Sequence, residues 1–549
     1  MTSPGPATRT LDRVLRRLRK LPPPRNTYVV ERGLRTPTRD GFELVSDHYA
    51  PVVPHAGGTI LIRTPYGRGL PGALLQGGTF AARGYHVLLQ SCRGTAGATD
   101  TFQPMVREAD DAQDTVAWLR EQPWFNGELA TMGMSYLAFT QWALLMDPPP
   151  ELRACVLIAG PHDFSAAIWE NDAFALETFL GWADTNSVPF EQRPSLLRQL
   201  TGNRQRANRL RAAFAGLPMT RAAETVLNGR APWYQDWLTH PDLTDPYWQP
   251  YNATEALQRV RTPTLIVGGW QDLFVGQTVQ QYETLRTRGI DVAMTIGPWT
   301  HLGHLVKGSA VIDNEALTWL DTHLGKREAN PHALPVHTFV TGADTWHTAA
   351  SWPPGHTETR WYPNESGLLG ATAAPGRSTF RFDPADPTPS VGGRRLAAGA
   401  GVRDNGDLEA RPDVLTFTTP ALAADLEFEG FPVVHVSVTV DNPHADLVIR
   451  LCDVDRKGRS HNITDTLVRL DATVAAGEIQ HLAALLSPCA HRVRQGHRIR
   501  LQLSGGAHPQ YARNLGTGEP VATGNGLKAA NHTIHHEDTR LTLPVTQPE

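Results

Sequence analysis

Residues Gly133 to Ala138 read Gly-Met-Ser-Tyr-Leu-Ala, and this stretch decides the fold that the sequence predicts. An apolar run at 129–132 precedes it and a helical run at 139–146 follows it, so Ser135 is expected on a tight turn between a strand and a helix. Such a turn presents the serine hydroxyl at the positive end of the helix and needs a small residue nearby, here a glycine two positions earlier. Leu137 stands where the usual G-x-S-x-G motif ends in glycine, so the motif alone leaves a chance serine in a turn as an open alternative.

Short apolar runs typical of buried parallel strands recur on both sides of this turn. They lie at 59–63, 85–90, 129–132, 154–158, 264–267 and 292–296. Segments with helical periodicity, such as 109–120, lie between these runs, and another at 314–324 follows them. This alternation predicts an α/β sheet covered by helices.

The spacing of the runs predicts three parts in this 549-residue chain. The interval 162–255 has a mainly helical pattern and is several times longer than an ordinary connection between strands, which indicates an inserted cap. The α/β domain is then formed by residues 26–161 and 256–330. From 331 to 549 the pattern changes to alternating strands separated by Pro- and Gly-rich turns, which predicts an all-β domain with a jelly-roll topology. Within it we expect the Gly-rich loop at 392–407 to be a disordered-looking connection.

Two further turns carry an acid and a base, and each directly follows a predicted strand. Gly-Gly-Trp-Gln-Asp after the run at 264–267 ends at Asp272, and Gly-Pro-Trp-Thr-His after the run at 292–296 ends at His301. Because the carboxyl ends of parallel strands meet at one sheet edge, both side chains are expected beside Ser135. A serine hydroxyl needs a base to remove its proton and an acid to orient that base. His304 is the alternative base, expected otherwise on the pocket wall or at the surface.

Composition excludes several other classes of function. The net charge of −4 gives no field that would collect phosphates, so nucleic acid is not expected as a partner. The four cysteines are sparse and form no C-x-x-C pair, and prolines interrupt the basic N-terminal segment where a signal peptide would need apolar residues, so we expect reduced thiols and a cytoplasmic protein. No run of about 18 apolar residues predicts a membrane span. The histidines near 532–536 lie on a predicted strand whose neighbouring side chains face opposite ways, so no metal or other cofactor is expected.

Taken together, these motifs resemble those of the cocaine esterase and X-prolyl dipeptidyl-peptidase group of serine hydrolases. The resemblance covers nearly the whole chain and rests on segments at 39–41, 63–66, 122–124, 133–136, 268–272, 296–301, 496–501 and 535–544. It implies an α/β-hydrolase core with an inserted helical cap and a C-terminal jelly roll. It also implies that the backbone N–H of Tyr136 and the phenol of Tyr66 stabilise the oxyanion. For Tyr66, the alternative is a buried aromatic residue whose hydroxyl is satisfied elsewhere.

The residues after Asp272 bear on the substrate. In the α-amino ester hydrolases of this group acidic residues follow the acid and help to bind an ammonium, whereas Leu-Phe-Val-Gly follows here, so Phe274 is predicted to line an apolar acyl pocket. Trp169 and Trp182 in the cap are further pocket candidates, with ordinary cap packing as the alternative. Carboxylates at 170 and 172 could bind an amine, although exposed surface acids are the commoner explanation.

The sequence therefore predicts an enzyme that cleaves carboxylic esters through an acyl group on Ser135, with a small-molecule ester or amide as its substrate. An X-Pro dipeptidyl-peptidase or another acyl amide hydrolase is the alternative. A binding protein with an inactive hydrolase half is a third hypothesis. The sequence leaves the oligomeric state open.

Overall fold

The computed structural model of the chain describes residues 2–3, 14, 16–69, 72–188, 196–325 and 334–546. Strands of its N-terminal half are β1 Tyr28–Pro37, β2 Glu43–Pro51, β3 Thr59–Thr64, β4 His86–Ser91, β5 Leu129–Met134, β6 Leu152–Ile158, β7 Trp169–Glu170, β8 Ala173–Phe174, β9 Thr264–Gln271, β10 Val292–Thr300, β11 Val336–Val340 and β12 Thr345–Ala349. The α-helices are α1 Glu108–Arg120, α2 Tyr136–Leu144, α3 Ser165–Ile168, α4 Leu176–Asn186, α5 Leu196–Ala215, α6 Met219–Leu227, α7 Pro232–Thr239, α8 Ala256–Arg259, α9 Val275–Thr287, α10 Gly303–Val306, α11 Ser309–His323 and α12 Gly406–Glu409. Shorter helical turns lie at Ala73–Gly78, Thr79–Ala81 and Pro246–Tyr251.

A ten-stranded mixed sheet in the order β1-β2-β4-β3-β5-β6-β9-β10-β11-β12 forms the first core. Its central strands run parallel, and every residue of β3 and β9 is buried because helices cover both faces. The predicted α/β sheet is confirmed, and each predicted run lies on one of these strands. The antiparallel pair β1 and β2, which adds an edge to the sheet, was not predicted.

The sheet also continues beyond the predicted boundary at residues 330/331. Strand β11 pairs in parallel with β10, and β12 closes that edge as the antiparallel partner of β11. Only alternate residues of β11 are buried, which is a pattern that an antiparallel sheet would give equally well. The sequence pattern therefore could not tell which of the two sheets this strand would join.

Between β6 and β9 the chain forms helices α3 to α8 and the small hairpin β7-β8. Aromatic side chains of α4 and α7 pack together at the centre of this region: Trp182 and Trp237 have ring centroids 6.1 Å apart, and Trp233 lies 4.6 Å from Trp237. No α-helix in the described part of the chain is long and apolar enough to cross a bilayer.

The C-terminal part is all β and antiparallel. Its strands are β13 His356–Pro363, β14 Leu369–Gly370, β15 Arg377–Phe382, β16 Val414–Thr418, β17 Leu426–Gly430, β18 Val433–Val440, β19 Asp446–Val454, β20 Ser460–Arg469, β21 Ile479–Leu485, β22 Cys489–Val493, β23 Arg498–Ser504 and β24 Ala530–Thr546. They form an eight-stranded and a four-stranded sheet, and one apolar core contains side chains from both, such as Val436 and Leu451. The α/β core followed by an antiparallel β domain confirms the predicted fold class.

The β domain contacts the carboxyl edge of the α/β sheet directly. The Gln271 side chain donates to the carbonyl of Ile463 at 2.8 Å. The loop at 392–407 is ordered, contrary to expectation: Gly393 and Gly401 bond each other through their backbones, and a Cβ on Gly401 would lie 2.9 Å from Thr300. Small residues therefore let this loop approach the sheet edge closely. A glycine-rich sequence is typical of close approach and of disorder alike, so composition alone could not tell which applies here.

Glu429 is a buried carboxyl at the junction of the two halves, and it yields a stability prediction. Burial raises its pKa to about 7, with the neighbouring Thr338 and Trp352 side chains opposing this only in part. Between the ordinary value of 4.5 and about 7, the folded chain therefore keeps a proton on Glu429 that the unfolded chain has lost. The stability that the protonated Glu429 contributes is complete below pH 4.5 and is lost as the pH rises through about 7. We predict that Glu429→Gln melts a few degrees above the wild type at pH 8 and together with it near pH 4.5.

A matched control lies on the same strand. Glu427 is paired with Arg492 at 2.7 Å, so Glu427→Gln is expected to gain no stability at pH 8. Thermal unfolding of both variants at the two pH values checks the prediction. A melting difference for Glu429→Gln that is independent of pH would contradict it.

Candidate active site

Ser135 lies on a strained turn between β5 and α2. Its backbone has φ 63° and ψ −122°, a conformation that residues other than glycine rarely adopt. Its N–H donates to the carbonyl of Ile158 at 2.9 Å on the neighbouring strand, which holds the turn against the sheet. Two glycines make this close approach possible, because a Cβ on Gly133 would lie 2.4 Å from that of Leu137 and a Cβ on Gly160 would lie 2.0 Å from that of Ala138. The unusual Leu137 is thus accommodated by Gly133.

Asp272 and His301 form a hydrogen-bonded pair at the same edge of the sheet. His301 Nδ1 lies 2.7 Å from one carboxylate oxygen of Asp272, and the N–H of Phe274 donates to the other oxygen at 2.7 Å. Both side chains are buried, and Asp272 is fully so. With Nδ1 held by the carboxylate, His301 keeps Nε2 as the nitrogen that can accept a proton.

The electrostatics of this pair keep the acid ionised. Burial acts to raise the pKa of Asp272, but the opposing charge and hydrogen bond of His301 outweigh it, with smaller contributions from His304 and the Phe274 N–H. The pKa of Asp272 is therefore below its ordinary value. A carboxylate in this state can orient the imidazole and stabilise its cation.

The order of the strands places the serine at the same edge of the sheet as this pair. Strand β6 lies between β5, which leads to Ser135, and β9, which leads to Asp272, and β10, which leads to His301, is the next strand after β9. The described structure contains no hydrogen bond between the Ser135 hydroxyl and His301. Such bonds often become well aligned only when a substrate is bound, so the arrangement is compatible with a serine and its base.

Tyr66 and Tyr136 both contact the Trp182 side chain. The Tyr66 hydroxyl accepts a hydrogen bond from the Trp182 indole at 3.3 Å, and Trp182 stacks parallel to the Tyr136 ring with centroids 6.2 Å apart. As the first residue of α2, Tyr136 has a backbone N–H without a partner inside the helix. The Trp182 ring therefore links the Tyr66 phenol to the Tyr136 side chain at the start of α2.

The Tyr136 side chain anchors the start of α2 in the protein interior. Its hydroxyl donates to Glu108 at 2.8 Å and accepts from the N–H of Met105 at 2.9 Å. Arg63 pairs with the other Glu108 oxygen at 2.9 Å, and all of these side chains are buried. Burial first, and then the charge of Glu108, raise the pKa of Tyr136 well above its ordinary value, so the phenol stays neutral.

Aromatic side chains surround the pair on the side of the cap. Phe274 lies 5.5 Å from the His301 ring and 6.0 Å from Phe164, while Phe102 lies 6.4 Å from Trp182. Phe274 and Trp182 were predicted near the site, and the structure brings both into this cluster. Phe102 and Phe164 were missed because each is a single aromatic residue in a stretch without a motif.

His304 and Trp169, considered as the alternative base and as a pocket residue, have different outcomes. His304 is buried and lies 3.8 Å from Asp272, so of the two positions expected for it the surface position was wrong and the pocket-wall position stays a prediction. Its spacing of three residues from His301 was the signal, because a turn after His301 leads into helix α10 and keeps the two rings near each other, with centroids 6.4 Å apart. Trp169 donates to the Trp237 carbonyl and packs on Phe174; its described contacts do not include the acid, the base or Tyr66, and its place in the pocket stays a prediction.

The carboxylates considered for amine binding are otherwise engaged or exposed. Glu170 accepts from Arg394 at 2.9 Å and from the Tyr511 hydroxyl at 2.8 Å, while Asp172 is exposed. Glu170 and Arg394 line a cavity of about 260 Å³ between the cap and the β domain, which Leu273 and Phe179 also line. Because Arg394 neutralises Glu170, this cavity offers no uncompensated negative charge from that residue.

Two protein-family models match the chain. Residues 40–303 match the X-Pro dipeptidyl-peptidase (S15 family) model, and residues 332–542 match that of the X-Pro dipeptidyl-peptidase C-terminal non-catalytic domain. The chain is 30% identical over 556 aligned positions to cocaine esterase from Rhodococcus sp. (strain MB1 Bresler), covering 90% of this chain and 94% of the esterase.

Solved structures share the fold over almost the whole length. An aminopeptidase from the marine sediment archaeon Thaumarchaeota archaeon superposes with a TM-score of 0.80 at 22% identity, covering 95% of this chain and 97% of that chain. An α-amino acid ester hydrolase superposes with a TM-score of 0.79 at 21% identity and the same coverage. The chain belongs to the cocaine esterase and X-Pro dipeptidyl-peptidase family of serine hydrolases with an α/β-hydrolase fold.

Proposed function

We propose that the chain hydrolyses carboxylic esters of small molecules, with Ser135 as nucleophile, His301 as general base and acid, and Asp272 as the orienting acid. The observation that carries this proposal is the combination of the strained Ser135 turn with the buried Asp272–His301 pair at the same sheet edge. Backbone strain at a residue other than glycine is typical of functional sites. The three residues form the proposed catalytic triad.

The proposed reaction proceeds in two halves. The Ser135 hydroxyl attacks the ester carbonyl while its proton passes to His301 Nε2, and the new oxyanion accepts hydrogen bonds from the Tyr66 phenol and the Tyr136 N–H. His301 then returns the proton to the leaving alkoxide, and the C–O bond to the alcohol breaks. Water attacks the acyl-enzyme in the same way, with His301 as base, and releases the acid and free Ser135. No cofactor enters either half.

Support for ester substrates comes from the surroundings of the base. Phe274 and Trp182 present aromatic surface next to His301 and Tyr66, which suits a bulky neutral acyl group better than an ammonium. Glu170, one of the two cap carboxylates considered as amine ligands, is held by Arg394 and Tyr511. The relative with 30% identity is named an esterase, which favours the same class of substrate.

An X-Pro dipeptidyl-peptidase is the second candidate, and the family model for residues 40–303 is the observation that favours it. A peptidase of this kind needs a group that binds the N-terminal ammonium of its substrate. Among the described residues near the cluster, the carboxylates of Asp272 and Glu170 are each paired with a cationic or hydrogen-bonding partner. Ester hydrolysis therefore remains the preferred proposal.

Three further features belong to the same proposal. We propose a jelly-roll topology for the β domain, supported by its two antiparallel sheets around one core. The domain limits remain predictions: an α/β domain at 26–161 and 256–330, a cap at 162–255 and a β domain at 331–549. The sheet of the α/β domain reaches residue 349. A cytoplasmic location is supported by four cysteines that are all buried free thiols. The oligomeric state stays open.

The substrate class can be tested by comparing two chromogenic compounds. We predict that the enzyme cleaves a p-nitrophenyl ester of a bulky neutral acid with a kcat/KM at least about tenfold above that for an X-Pro p-nitroanilide, because Glu170, the cap carboxylate considered for the ammonium, is already paired with Arg394. Steady-state kinetics on both compounds measure this ratio, with Ser135→Ala as the control for background hydrolysis. Faster cleavage of the anilide would contradict the proposal and favour the peptidase.

The role of Tyr66 can be tested by removing its hydroxyl. Tyr66→Phe keeps the ring beside Trp182 but removes one donor to the oxyanion, so we predict that kcat falls by about a hundredfold or more while KM changes little. Trp182→Phe is the matched control, because it removes the indole N–H that donates to Tyr66 and leaves the phenol in place. An unchanged kcat in Tyr66→Phe would exclude the phenol from the oxyanion hole.

A further inference from the structure

We propose that His304 is a positioning residue for the triad: through its Nδ1–H it holds the backbone carbonyl of His301 and supports the carboxylate of Asp272, while taking no part in proton transfer. The inference rests on the proposed function of the Ser135 site. It starts from the buried position of His304 beside the triad acid, 1% exposed and 3.8 Å from an Asp272 oxygen.

The hydrogen bonds of His304 fix its tautomer. Its Nδ1 lies 3.0 Å from the carbonyl of Thr300 and 3.1 Å from that of His301. Both partners are oxygens that only accept, so Nδ1 must carry the hydrogen and share it between them. Its Nε2 is buried and has no partner in the described part of the chain, so a second proton there would have no acceptor. His304 is therefore a neutral donor.

This geometry excludes His304 as the general base. The nitrogen that carries a lone pair is enclosed in protein, and the other nitrogen faces backbone carbonyls. Burial, as the largest cause, lowers the pKa of His304, which keeps the ring neutral in agreement with its hydrogen bonds. A neutral imidazole whose N–H is directed at fixed acceptors can hold structure but cannot carry a proton from Ser135 to the leaving group.

The same hydrogen bonds connect His304 to the reacting residue. One of its two acceptors is the carbonyl of His301 itself, so the N–H restrains the backbone from which the catalytic ring extends. The positive end of that N–H is also close to the Asp272 oxygen that binds His301, since Nδ1 of His304 lies 3.8 Å from it, and His304 acts to lower the pKa of Asp272, which favours the ionised acid. The ring packs against Trp299 at 5.4 Å and against Gly269, where a Cβ would lie 3.0 Å away, so it has little room to turn.

Three substitutions separate the N–H from the volume of the ring. Asn places its amide nitrogen close to the position of Nδ1, whereas Gln places it near the position of Nε2, and Leu offers no donor at all. We expect His304→Asn to keep kcat within about threefold of the wild type. We expect His304→Gln and His304→Leu to lose about tenfold or more in kcat with KM little changed, since substrate contacts are intact.

The pH profile is a readout that loss of packing alone would not move. Without the nearby N–H, the negative charge of the Asp272 oxygen is less compensated and stabilises the His301 cation more strongly. The base then loses its proton at a higher pH, so the acid limb of kcat/KM should shift to higher pH in the Gln and Leu variants and stay in place in the Asn variant. Melting temperatures measured on all three variants identify any loss of folding.

The experiment is kinetics of the wild type, the three variants and Ser135→Ala on a p-nitrophenyl ester across the pH range. Retained activity and acid limb in Asn, together with reduced kcat and a shifted limb in Gln and Leu, would support the proposal. Equal losses in Asn and Leu, or full activity in all three, would overturn it. An inactive wild type, or a Ser135→Ala variant as active as the wild type, would instead refute the proposed function, so the two failures are distinguishable.

Discussion

The structure depends on how closely helix α2 can approach the central sheet. Ser135 has a positive φ, and its neighbours Gly133 and Gly160 are positions where a Cβ would overlap Leu137 and Ala138. A larger residue at either glycine would move the helix away, and with it the Tyr136 N–H and the serine hydroxyl. The buried ion pair of Arg63 and Glu108 holds the same helix start from below through the Tyr136 phenol. Strain at the serine is therefore maintained by packing on two sides.

The β domain is part of this arrangement and not an independent appendage. Gln271, the residue before the proposed triad acid, donates a hydrogen bond to Ile463 on β20, and the loop around Gly401 packs on Thr300, the residue before His301. Both turns that carry the acid and the base are thus in contact with the C-terminal half. A movement of one half relative to the other would therefore displace the acid and the base more directly than the serine. The serine turn is held within the sheet by the hydrogen bond from Ser135 to Ile158.

The sequence predicted the central strands and the three turns because each depends on local pattern: an apolar run followed by glycine and a chemically active side chain. It could not assign β11, since the alternation of its buried residues suits either sheet, and it misjudged the 392–407 loop because glycine serves both close approach and flexibility. His304 was placed outside the core although it lies against Asp272, because burial of a histidine depends on tertiary partners that no local pattern reveals. Contacts between distant segments, such as Arg394 with Glu170, were invisible for the same reason.

The central claim is that Ser135 carries the acyl group. The most direct measurement is to mix the enzyme with a p-nitrophenyl ester, quench in acid during the first turnover, and locate the acyl group by mass spectrometry of the intact protein and its peptides. The account predicts one acyl group per chain, on the peptide containing Ser135, and none on Ser135→Ala. An acyl group on another residue, or turnover in Ser135→Ala equal to that of the wild type, would contradict it.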